Sequence, residues 1–262
     1  MPARVNMVTT AHISWRAARA SLAALALCVG LATSITLAPP AHAHASASIS
    51  PVLHFGPHGS GALDFTIHFT DNESETGVPA PVRRTLLRFP AGLNVEIPLL
   101  RSCDAARLRA RGPSACPPQS HIGGGHALAE VHVGSQTIAE HIALWVFLGP
   151  LHNLSPTFLI LGRGYTPFNE RVVLSGTTLS DSLPYGEDLA ISIPPIPTLP
   201  LEPDASIVSM SLSVGSTSPH PSHAATVVVP HHCPAGGFPF AAAFTYADGF
   251  TGQAFATAHC PR

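Results

Sequence analysis

The chain has 262 residues, 45% of them hydrophobic and only 11% charged, with 21 Gly, 27 Pro and no Lys. Beyond residue 45 all fifteen acids stand against ten arginines, a net charge of about −5 with neutral histidines. That balance argues against a nucleic-acid binder, and a chain without lysine has no Walker-type phosphate loop.

Arg4, Arg16 and Arg19 precede an apolar run from Ala20 to about Ala38, followed by Pro39-Pro40 and Ala41-His42-Ala43-His44-Ala45. Residues 1–45 therefore read as a cleaved secretory signal peptide, with small residues at −3 and −1 of the cut. The alternative is a retained anchor, since the run is just long enough to span a bilayer; only then would a membrane be a partner. Leu27 before Cys28 argues against a lipoprotein anchor. Four cysteines remain after cleavage: Cys103, Cys116, Cys233 and Cys260. An even number in an exported chain implies disulfides. Of three possible pairings, sequence proximity favours Cys103–Cys116 and Cys233–Cys260, each worth about 3 kcal/mol. A zinc site is the rival, but no Cys-x-x-Cys pair is present.

Residues 46–61 are rich in Ser, Pro, His and Gly and read as a loose N-terminal arm. Leu63, Phe65, Ile67 and Phe69 then alternate with polar residues, the period of a strand with one buried face. Arg84–Phe89 and Leu93–Leu99 read as two more strands. Twelve residues between Cys103 and Cys116 read as a short basic helix. His126–Val133 and Gln136–Leu148 form a hairpin around Gly134-Ser135. Thr157–Leu161, Arg171–Leu179 and the alternation Leu189, Ile191, Ile193 follow. The proline-rich stretch 194–203 cannot be an inner strand and reads as an extended edge crossover. In the strand Ile207–Val214 the expected inward residues are Val208, Met210, Leu212 and Val214. Ala225–Val229 is short. The last hairpin alternates Phe238, Phe240, Ala242, Phe244 and Tyr246, with Asp248-Gly249 as a two-residue turn. The expected fold is all-β: an antiparallel β-sandwich of about 11–12 strands with one short helix, in a single domain over residues 62–262.

Catalytic signatures are absent from the sequence: G-x-S-x-G and H-E-x-x-H do not occur. Ser120 and His121 are adjacent, so on extended backbone they point apart; a turn is the structural reading, with Gly123–Gly125 allowing a bulge. Glu130 and Glu140 are a conceivable glycosidase pair in one hairpin, although outward solvated positions explain them as well. His220, His223, His231, His232 and His259 gather around a short strand and the last cysteine, a possible transition-metal set. Seven of the ten arginines lie between Arg83 and Arg111; Arg107, Arg109 and Arg111 on the helix could hold an anionic polymer. Trp145 and Phe147 share one face of a strand, as core residues do. No cofactor is implied.

The segment C-x12-C-P-P-Q-S-H-I-G-G-G, with P-A-G-L (90–93) before it and C-P-A-G-G…A-D-G…C-P at the end, resembles a group of exported proteins of high-GC Gram-positive bacteria. The resemblance spans most of residues 60–262. It implies architecture and location and carries no activity with it. Gln119 and His121 fill that pattern's variable positions. The reading is an exported cell-envelope or extracellular protein with a non-enzymatic binding or structural role, its partner an envelope polymer or another envelope protein. A secreted hydrolase of wall or sugar polymers and a histidine-rich metal module are the alternatives.

Overall fold

A computed structural model describes residues 45–56, 61–96, 101–198, 201–216, 225–230 and 232–260. Residues 1–44, nearly all of the segment expected to be a signal peptide, lie outside them. Among the described residues thirteen strands are formed: β1 (Ser46–Phe55), β2 (Gly61–Thr70), β3 (Val82–Pro90), β4 (Asn94–Glu96), β5 (His121–Val133), β6 (Gln136–Leu148), β7 (Thr157–Gly164), β8 (Arg171–Ser180), β9 (Tyr185–Ser192), β10 (Ser206–Gly215), β11 (Thr226–Val228), β12 (Phe238–Tyr246) and β13 (Thr251–Ala258). One helix, α1 (Ala105–Arg111), lies between β4 and β5.

The all-β expectation holds, and every strand pairing is antiparallel. Hydrogen bonds join eleven strands into one continuous sheet in the order β1-β2-β10-β5-β6-β7-β8-β9-β3-β12-β13, while β4 pairs with β11 apart from it. The sheet curls until its two end strands, β1 and β13, lie beside one another. Side chains of β2 therefore meet those of β12 across the interior: Phe69 stands edge-on to Phe244 at 5.0 Å, and Phe65 lies 6.1 Å from Phe240. Such aromatic pairs add about 1 kcal/mol each beyond their buried area. The alternation read in β2 is the cause, since Leu63, Phe65, Ile67 and Phe69 are all buried on the inner face.

Residues 46–55 are not a loose arm. They form β1, paired along its whole length with β2, from Ser46↔Thr70 to Phe55↔Gly61. Ile49, Pro51 and Leu53 alternate inward. Proline is tolerated there because β1 is an end strand and its unpaired side needs no N–H.

α1 explains why β6 reads as a continuous apolar run. Leu144, Val146 and Leu148 enter the main core, while Phe147 faces the other way. On that outer face Phe147, Leu159, Leu161 and Val173 form a second core, closed by Leu108 of α1 and by Cys103 and Cys116. The Asp104 side chain accepts from Arg107 N at 2.8 Å and starts the helix. Leu108 is fully buried, a contribution of about 2 kcal/mol. The Cys103–Cys116 and Cys233–Cys260 disulfides are formed, with Cα atoms 5.1 and 6.0 Å apart.

Two registers differ from expectation by one residue. In β10 a bulge falls between Ile207 and Ser209, so Ile207 rather than Val208 joins the core with Met210, Leu212 and Val214. In the last hairpin Tyr246 N donates to Phe250 O and Gly249 N to Tyr246 O, which makes the loop three residues, Ala247–Gly249. Gly249 takes φ +87, the left-handed closing residue of a three-residue hairpin loop. The proline-rich stretch carries no ladder bonds between 194 and 198. It carries the chain from β9 to the distant β10, and Ala205 N donates back to Ile196 O at 2.9 Å.

Candidate functional site

The curled sheet lines a partly open apolar cavity of about 100 Å³. Inward residues of β2, β3, β7, β9 and β10 build it, among them Phe65, Phe89, Ile160, Leu189 and Leu212, with Val227 of β11 closing one side. Two polar side chains of the sheet face it, Thr178 of β8 and Glu187 of β9. Ser180↔Glu187 is the last ladder pair before the β8–β9 turn, so this carboxyl stands at the rim. Burial raises the Glu187 pKa, and the neighbouring Thr178 side chain partly opposes the rise. At the same end of the sheet Leu151 and Leu154 of the β6–β7 loop and Leu183 of the β8–β9 loop are exposed.

Neither Glu187 nor Thr178 is singled out by sequence reasoning, yet the signal is there. Extending the inward series Ile193, Ile191, Leu189 by two residues reaches Glu187.

A second inward carboxylate, Glu140, lies between Ile138 and Ile142 on β6, and is buried. Its pKa is raised, first by burial and then by the nearby Glu170, while backbone N–H groups of Phe168 and Tyr165 donate to it and oppose the rise. A Cβ on Gly164 would overlap its carboxyl group. The expected pairing with Glu130 does not form. Ala129 faces Glu140 and Ala139 faces Glu130 across the β5–β6 ladder, so the two glutamates project from opposite faces. Glu140 is also not outward and solvated, as expected; its alternation with Ile138 and Ile142 turns it inward.

A third polar cluster ties β3 to β9 and the β8–β9 turn on the outer face. Arg88 Nε lies 3.3 Å from Asp181 Oδ2 and 3.6 Å from Asp188 Oδ2, and its guanidinium covers the Tyr185 ring at 5.3 Å. Burial and the neighbouring Asp181 raise the Asp188 pKa, whereas the Ser182 backbone N–H, 2.7 Å away, lowers that of Asp181. Unequal environments thus favour a proton on Asp188 before Asp181.

The other sequence candidates are placed as follows. Ser120 is fully buried and its Oγ donates to Pro117 O at 2.6 Å, the turn role expected of it. His121 packs its ring 5.1 Å from that of Phe147. A Cβ on Gly123 or Gly125 would strike the backbone of Ser213 or Ser211 in β10, and a bulge falls between His121 and Gly123. Phe147 is buried and Trp145 packs against the same outer core. His220, His223 and His231 lie outside the described residues; His232 and His259 are exposed, and no group of three metal-ligating side chains occurs among the described residues.

The arginine-rich segment is divided. Arg83 pairs with Asp204 at 2.5 Å and Arg88 with the two aspartates. Arg107, Arg109 and Arg111 are exposed and make no ion pair with the described residues. Among the described residues no helix is long and apolar enough to cross a membrane.

No protein-family model matches the chain, and neither the curated proteins nor the solved structures provide a significant relative.

Proposed function

We propose that this is an exported, non-enzymatic binding protein that holds an apolar ligand inside its curled sheet. The observation that carries the reading is the apolar cavity of about 100 Å³, with Thr178 and Glu187 as the polar side chains of the sheet that face it. Ligand sites are typically concave, mostly apolar and marked by a few placed polar groups. The leader-like residues 1–45, the two disulfides and the resemblance to exported envelope proteins support the location. Isothermal titration calorimetry with single-chain n-octyl compounds tests it. Saturable binding is expected, and Leu189→Trp, which fills the cavity, should abolish it while circular dichroism stays unchanged. A wild-type protein that binds none of them overturns the reading.

A second reading has its own observation. Arg107, Arg109 and Arg111 are exposed and unpaired among the described residues, as a surface for an anionic envelope polymer requires. Retention on immobilised polyphosphate that survives the triple change to Gln would remove it.

A further inference from the structure

Resting on the binding reading above, we infer that the cavity takes a single-chain amphiphile whose headgroup donates hydrogen bonds, an alkylamine or alkyl alcohol, with the Glu187 carboxylate as acceptor.

The wall chemistry sets the tail. Leu63, Phe65, Ile160, Leu189 and Leu212 offer no hydrogen-bonding side chain, so a polar group deep in the cavity would lose its water without compensation. The volume is somewhat less than the roughly 150 Å³ that admits a benzene ring, which suits a short length of unbranched chain rather than a fused ring system.

The rim sets the head. Asn94 also borders the cavity, but its Oδ1 already accepts from Val95 N at 2.8 Å. Glu187 is the anionic group there, and its burial raises its pKa with one threonine hydroxyl in partial compensation. A carboxylate held this way gains from a further donor. A ligand ammonium gains most, because the resulting bond is charge-assisted on both sides. A ligand carboxylate would instead meet a like charge in a poorly hydrated place. The charges of Arg88, Asp181 and Asp188 lie on the outer face and do not reach inward to reverse this order.

The test is calorimetric titration of the intact protein at neutral pH with n-octylamine, n-octanol and n-octanoate. The expected order is amine, alcohol, carboxylate, with about tenfold between first and last. Glu187→Gln should cost the amine about tenfold, leave the alcohol nearly unchanged and improve the carboxylate. Thr178→Val, which keeps the acceptor, should preserve the order and serves if the glutamine variant does not fold. Equal affinity for all three, or preference for octanoate, overturns the headgroup inference while the binding reading stands. A protein that binds none of the three overturns the binding reading itself.

Discussion

The carboxyl group of Glu140 occupies the space that a Cβ on Gly164 would need. Two strands that are direct neighbours, β6 and β7, thus meet here with a long inward acid on one and no side chain on the other. Gly164→Ala should destabilise the protein by about 1–3 kcal/mol, the cost of overpacking a filled interior. In a Glu140→Ala background the same change should cost little. A double-mutant cycle in urea measures the difference, and equal costs in both backgrounds would show that the two positions are independent.

The same glutamate makes stability depend on pH in a defined direction. Its folded-state pKa is raised, chiefly by burial. The folded protein therefore holds this proton more tightly than the unfolded chain does, and the associated stability is present in acid and lost as pH rises through the raised pKa. Glu140→Gln removes that loss. The stability of the variant relative to wild type should rise between about pH 4 and neutrality. Glu187 and Asp188, whose pKa values are also raised, act alike in both proteins and cancel in the comparison.

Tyr246 and Ser206 are both buried, but only one hydroxyl has a partner. Tyr246 Oη makes no hydrogen bond in the described structure, and burial, then Asp248 and Asp71, push its pKa up to about 12. Ser206 Oγ donates to Pro79 O. Tyr246→Phe should leave stability unchanged or raise it, whereas Ser206→Ala should lower it by about 1–2 kcal/mol and leave a carbonyl unsatisfied. Thermal unfolding of the two variants checks the contrast.

The Cys233–Cys260 bridge joins the base of the last hairpin, its ends 27 positions apart in sequence. Replacing both cysteines by Ala should cost about 3 kcal/mol. Phe238, Phe240 and Phe244 in that hairpin belong to the main core, so the loss should appear as global unfolding at lower denaturant rather than local fraying. Coincident fluorescence and circular-dichroism transitions would show it.

Most of the strands were legible because one buried face imposes a period of two on the sequence, as in β2, β9 and β12. The short hairpin around Gly134-Ser135 and both cysteine pairings were also legible, since each depends on residues near one another along the chain. β1 is not legible because a proline, Pro51, stands at an inward position and the apolar Val52 faces out. In β10 a bulge shifts the alternation by one, from Val208 to Ile207, and nothing local in S-I-V-S-M announces it.

By itself, then, the sequence determined the class of the protein: strands with one apolar face, short turns, two local cross-links and one small helix. Those are consequences of side-chain period and chain proximity. Tertiary structure alone decided which strands became neighbours, that the sheet curls until β1 reaches β13, and that Glu187 and Glu140 turn inward among apolar side chains. Pairing between strands far apart in sequence depends on summed packing over the whole core. No single segment encodes the cavity, or the apolar surroundings that raise the pKa of Glu187 beside Thr178.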